Sequence, residues 1–109
     1  MPLGAFPVVT VYHSNEENAQ PYANFGWPAI IGSLAAYSHS LAMSQKVWLP
    51  FNDTISSNFG EPWMFVFRDT MTFGTDLKSA IDIIENANRT YQVHLGIGSR
   101  KDNQMRGLQ

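Results

Sequence analysis

Apolar and polar positions divide the chain into two regimes. Through residues 6–48 the apolar runs are short, rich in β-branched side chains and cut repeatedly by Pro, Gly, Asn or Ser. That pattern belongs to strands joined by turns rather than to long helices. Residues 6–13 predict a first strand, with Pro7 near its beginning, where a strand tolerates proline. The polar stretch 14–20 has the size of a hairpin loop. Pro21 then opens a second strand over 22–27, and Gly26 and Pro28 around Trp27 predict a bulge or sharp bend. Residues 29–37 are almost continuously apolar and predict a third strand buried on both faces. After a turn at Ser38-His39-Ser40, residues 41–48 predict a fourth strand, stopped by Pro50. Short connections favour antiparallel pairing, because parallel neighbours need long crossovers.

Beyond a polar loop at 51–62 the period changes from that of strands to that of helices. Residues 63–73 predict a helix after Pro62, with Met64, Phe67 and Met71 on one stripe. Apolar side chains on its other sides predict burial between layers. Gly74 ends it, and Thr75 is the expected N-cap of a second helix over 76–87, where Leu77, Ala80, Ile81 and Ile84 share a face. Residues 91–97 return to strand alternation, and the polar tail from Ser99 is expected to be a solvated end that continues in a longer parent. The order β-β-β-β-α-α-β predicts an α+β fold: one partial domain over 1–109 with both helices on one sheet face.

Composition sharpens this picture in one respect. Apolar residues make up 44% of the 109 positions and charged ones only 15%, against about 25% in a typical soluble domain. Part of the surface is therefore expected to be apolar and covered by something else, by self-association or by a complementary subunit. The net charge of −2 gives no basic stripe, so nucleic acid is not an expected partner. No apolar run reaches the length of a membrane-spanning helix. The first residues lack the charged and apolar regions of a secretory signal.

Candidate chemistry is sparse. The absence of cysteine removes thiolate metal sites and thiol nucleophiles. His13, His39 and His94 fall at a strand end, in a turn and in a strand, without the spacing of a metal site, and no metal or cofactor is expected. Gly32-Ser33-Leu34 is not a nucleophile elbow, Ser38 and Ser40 read as turn hydroxyls, and Gly96-Ile97-Gly98 lacks the third glycine and helix of a dinucleotide site. Asp82 and Glu85 read as a solvated helix face. Two N-glycosylation acceptors occur, at Asn52 and Asn88. They would suit a secretory or lysosomal route in a eukaryotic parent.

The segments in sequence resemble a known group. Phe25-Gly26-Trp27-Pro28-Ala29-Ile30-Ile31-Gly32-Ser33-Leu34 followed by Leu41-Ala42-Met43-Ser44 is similar to the central hairpin of acid-ceramidase-like and acyl-CoA:isopenicillin-N acyltransferase-like N-terminal-nucleophile hydrolases. Gly60-Glu61-Pro62-Trp63, Arg68-Asp69, Asp76-Leu77-Lys78-Ser79-Ala80 and Asn88-Arg89-Thr90 resemble the helix pair that follows. Ala29, Ala35 and Ala36 stand where that pattern has glycine, threonine and glycine.

The resemblance implies part of an αββα sandwich and a parent amidohydrolase. Its N-terminal cysteine would attack an N-acylated, lipid-like amide with the α-amine as base. The nucleophile with its Arg/Asp pair would lie upstream of this chain, and the oxyanion-stabilising Asn with its Arg downstream. The chain alone is therefore expected to be inactive. Asn24, Trp27 and Gln45, flanking the bent hairpin, are the candidates for a substrate wall. The alternatives are a non-enzymatic interaction module built on the same fold and an unrelated small α+β protein.

Overall fold

A computed structural model describes residues 6–29, 34–47, 59–90 and 92–109. Six strands, β1 (Val8–Tyr12), β2 (Tyr22–Gly26), β3 (Ala35–Ser38), β4 (Leu41–Val47), β5 (Val93–Ser99) and β6 (Gln104–Leu108), form one sheet in the order β1-β2-β3-β4-β5-β6. Every neighbouring pair is antiparallel. Two helices, α1 (Trp63–Phe73) and α2 (Leu77–Asn86), lie between β4 and β5 in the chain. They pack on each other; α1 contacts β3 and β4, and α2 contacts β5.

Register decides which side chains meet the helices. Tyr22 and Asn24 on β2 sit opposite Ser38 and Ala36 on β3. Across β4 and β5 the same face carries Leu41, Met43, Leu95 and Ile97. Those residues are buried with Val66, Phe67, Met71, Leu77, Ala80 and Ile84 of the helices, and they form one core. The two threonines buried on α1 return their hydroxyls to the helix: Thr70 Oγ1 donates to the Val66 carbonyl and Thr72 Oγ1 to that of Arg68, each at 2.7 Å. The opposite face has no helix among the described residues. Val9, Val11, Phe25, Tyr37 and Met105 remain exposed there, and the rings of Phe25 and Tyr37 stack at 5.7 Å.

Three polar tethers fix the helix ends. Gln20, in the β1–β2 loop, donates from Nε2 to the Met71 carbonyl at 3.1 Å and to that of Gly74, and from its backbone to Thr72 O at 2.9 Å. These bonds satisfy carbonyls that the end of α1 would otherwise leave orphaned. At the start of α2, Asp76 and Ser79 form a capping box, with Ser79 N donating to Asp76 Oδ1 at 2.9 Å. Asp102, in the β5–β6 turn, accepts from Leu77 N at 2.8 Å and from the Ser99 hydroxyl at 2.7 Å. The third tether joins the segments before α1 and after α2. Glu61 N donates to Asn88 O at 2.6 Å and Thr90 N to Glu61 O at 3.3 Å. Gly60 holds a φ of 149°, where a β-carbon would collide with the Asn88 carbonyl.

Several expectations are corrected. An αββα arrangement needs two stacked sheets between two helical layers, whereas the described residues form a single six-stranded sheet with helices on one face. The fold is two-layered, and it is not part of that sandwich. The tail after Ser99 is largely exposed, as expected, but its residues Gln104–Leu108 form the strand β6, because β5 offers its free edge to them. The third strand begins at Ala35, and Tyr37, 52% exposed, shows that it is covered on one face only. The N-cap of α2 is Asp76, not Thr75. Met64 lies off the buried stripe of α1, which runs through Val66, Phe67, Thr70 and Met71. The bend after β2 is present: Pro28-Ala29 turn the chain and Ala29 takes a φ of 64°.

Replacing Gln20 by Ala removes the side-chain bonds of the tether on α1 and keeps its backbone bond to Thr72. The variant should unfold about 2 kcal/mol more easily, the cost of leaving buried carbonyls unmatched. An unchanged urea midpoint would show that water serves these carbonyls as well. The Leu77 N–H, then the Ser99 hydroxyl, hold the Asp102 carboxyl below its usual range. A depressed folded-state pKa adds stability above the ordinary carboxylate range and loses it as pH falls. Asp102→Asn should therefore flatten the acid limb of a stability–pH profile below about pH 4.

Candidate functional site

Two of the sequence candidates for a substrate wall, Asn24 and Gln45, share one face of the sheet, and the third, Trp27, directly follows β2. Asn24 lies on β2, buried, with its side chain on the helix-covered face. Gln45 lies on β4 opposite Leu95, half-buried on the same face, and its backbone N–H reaches Leu34 O at 2.9 Å. Trp27 follows β2 directly and is half-buried. Its indole Nε1 is buried and finds no acceptor among the described residues. A buried N–H without an acceptor costs about 1–3 kcal/mol, so this donor marks a place where a carbonyl would be welcome. Asn52 and Ser33 lie outside the described residues. Asn88 is exposed, although its backbone carbonyl is held by Glu61.

Two of the motifs that carry the resemblance meet in space. Residues 60–63 and 88–90, separated in the chain by both helices, meet through the parallel bridge of Glu61 with Arg89. The Arg89 guanidinium sits 5.6 Å above the Trp63 ring, an attractive cation–π arrangement. These residues act as a clasp for the helix pair and bring no nucleophile together with a base.

A concave site that the sequence reading missed opens where the β1–β2 loop meets α1. It encloses about 400 Å³ and is lined by Tyr12, His13, Glu16, Tyr22, Arg68 and Asp69 among others. Tyr12 and Tyr22, opposite each other in the register, stack at 5.1 Å. Arg68 Nη2 stands 2.7 Å from Asp69 Oδ1, and the guanidinium lies over Phe65 at 5.2 Å. Burial, and then the neighbouring Tyr12, push the Tyr22 phenol up to about 12. It therefore remains a neutral hydrogen-bond donor at physiological pH. Sequence separation hid this site, because Tyr12-His13 and Arg68-Asp69 become neighbours only when the hairpin loop docks on α1 through Gln20. A second, broader basin of about 720 Å³ lies at the β3–β4 and β5–β6 turns, with His39, Arg100 and Met105 on its walls. Ser38 is committed there as a turn former, its Oγ accepting from Leu41 N at 3.0 Å and Ser40 N at 3.2 Å.

Among the described residues, no three metal-ligating side chains cluster, and His13, His39 and His94 lie on separate elements. No helix is long and apolar enough to cross a membrane.

No family model matches the sequence. It is similar to two proteins of Dictyostelium discoideum, protein dcd1B at 35% identity over 102 residues and protein dcd1A at 31% over 113 residues. The alignments take in 94% and 99% of this chain but 20% and 25% of the relatives. The chain thus spans a fifth to a quarter of the length of the curated relatives it matches.

The pH behaviour of Tyr22 tests the hairpin–helix site. A phenol whose folded-state pKa is raised adds stability that is present below the unfolded value of about 10 and lost as pH climbs towards 12. Absorbance at 295 nm should show one tyrosine ionising near pH 12, and Tyr22→Phe should abolish that step while flattening the alkaline limb of stability. A step of unchanged amplitude in the variant would place the perturbed phenol elsewhere.

Proposed function

We propose that this chain is a segment of a larger amidohydrolase whose N-terminal cysteine, carried by residues outside it, cleaves the amide of N-acylated, lipid-like substrates. The observation that carries the reading is the ordered set of motifs resembling N-terminal-nucleophile hydrolases. Two of those motifs, 60–63 and 88–90, are built into one clasp. Two further observations support it. The chain aligns with only a fifth to a quarter of its relatives' length. One sheet face is left apolar and open, as in a piece of a larger body.

In this reading Asn24, Trp27 and Gln45 border the acyl-amide at the covered end of the sheet, where the Trp27 indole N–H would donate to a substrate carbonyl. The exposed sequon at Asn88 suits a secretory or lysosomal route for such a parent. The open face accounts for the low surface charge and calls for self-association or a complementary subunit.

Two preparations test the proposal: the longest natural polypeptide carrying this segment, and the 109-residue chain alone. Incubated with a ceramide or an N-acylethanolamine, the long form should release free fatty acid, and a thiol-alkylating reagent should stop it. The short form should release none. A long form that is inert across acidic and neutral pH, or active after complete alkylation, overturns the cysteine amidohydrolase. The inert result would leave an interaction module as the better reading.

A further inference from the structure

The two edges of the sheet differ in character. At β6 the edge carries Arg106 and Gly107 and follows a turn containing Arg100 and Lys101, the kind of charge that discourages edge pairing. At β1 the edge strand is Val8-Val9-Thr10-Val11-Tyr12, exposed at all five positions and without a charge. Its only strand neighbour among the described residues is β2. Alternate backbone N–H and C=O groups of β1 consequently point away from the sheet, on a strand of high β-propensity. An exposed, uncharged edge of this kind is a template for another strand.

The strand is close to self-complementary, and this identifies its partner. We propose that two copies of the chain join edge to edge through β1, antiparallel, about a two-fold axis beside Thr10, so that the sheet continues from one copy into the next. Faces restrict the register. Opposed residues in an antiparallel pair point to the same side, so Val9 and Val11, on the open face, must oppose each other's kind. Centring on Thr10 pairs the whole strand, whereas centring on Val9 or Val11 shortens the ladder. Thr10 then faces Thr10 of the second copy, Val9 faces Val11, and Val8 faces Tyr12. Threonine pairs, β-branched pairs and an aromatic with a β-branched residue are all favourable cross-strand neighbours, and no like charges meet. The contact is isologous, as a two-fold dimer requires. Val9 and Val11 of both copies, continued by Phe25 and Tyr37, merge into one apolar strip on the open face.

This gives the self-association suggested above a specific surface, and it is independent of the amidohydrolase chemistry. The absence of cysteine allows a clean test by single substitution. Opposed β-carbons in such a pair lie about 4.5–5.5 Å apart, close to the reach of a disulfide. Thr10→Cys should therefore form a disulfide-linked dimer under mild oxidation at least tenfold faster than Val8→Cys. The two Val8 positions would be about 13 Å apart along the strand. Sedimentation velocity of the unsubstituted chain should show a dimer at tens of micromolar. Thr10→Lys, which sets two ammonium groups face to face at the edge, should return it to monomer with an unchanged circular-dichroism spectrum. Equal cross-linking rates for Thr10→Cys and Val8→Cys overturn the proposal, as does a monodisperse monomer. Fastest cross-linking by Tyr37→Cys would assign the contact to the open face instead and equally overturn it.

Discussion

Side chains on a strand alternate between two faces, and only one face of this sheet has helices to bury it. That constraint governs the rest of the structure. Leu41, Met43, Leu95 and Ile97 can be apolar and unexposed because Phe67, Met71 and Ile84 come down on them. Each apolar side chain buried in this way is worth roughly 1.5–3 kcal/mol, so the seam between sheet and helices supplies most of what opposes the chain's conformational entropy. The apolar residues on the other face have no such layer among the described residues. Val9, Val11, Phe25 and Tyr37 therefore stay in water although their chemistry is that of a core.

Helices held against a sheet by apolar contact alone would be free to slide, and here polar tethers from the connecting segments fix them. Gln20 reaches from the hairpin loop to the end of α1, Asp102 from the β5–β6 turn to the start of α2, and Glu61 with Asn88 close the loop ends on each other. All three join residues far apart in the chain. Each matches a buried or helix-terminal backbone group that would otherwise lack a partner, and such groups are costly to leave unmatched. The tethers also shape the concave site, since docking of the β1–β2 loop on α1 is what brings Tyr12 and His13 to Arg68 and Asp69.

Elements whose signal is local were legible in the sequence, and elements set by a distant partner were not. Pro62 and Gly74 bracket α1, and both bounds follow from the backbone restrictions of those residues. In the first hairpin, β1 follows from a β-branched run, Val8-Val9-Thr10-Val11, and β2 from its position after the turn residues and Pro21. By contrast β6 reads Gln-Met-Arg-Gly-Leu, a sequence with no buried alternation, and it is a strand only because β5 supplies a ladder. Thr75 and Asp76 are both competent caps, and the choice of Asp76 depends on Ser79 and Lys101. The four-layer sandwich was inferred from resemblance, and neither composition nor period could test it. Tyr22 read as a strand aromatic; its altered acidity comes from burial under α1 and the stacked Tyr12.

The asymmetry of the sheet also bears on where chemistry could take place. Asn24 and Gln45 lie on the helix-covered face, so under the proposed function a ligand touching them would not reach them across the open face. The open face offers apolar area and small residues, Ala42, Ser44, Gly96 and Gly98. Those features suit close contact with another protein layer better than recognition of a polar amide. The uncapped indole N–H of Trp27 is the described donor that such an amide would satisfy without displacing an existing bond. A ligand bound there would contribute affinity by relieving a cost that the free chain already bears, as preorganised sites do.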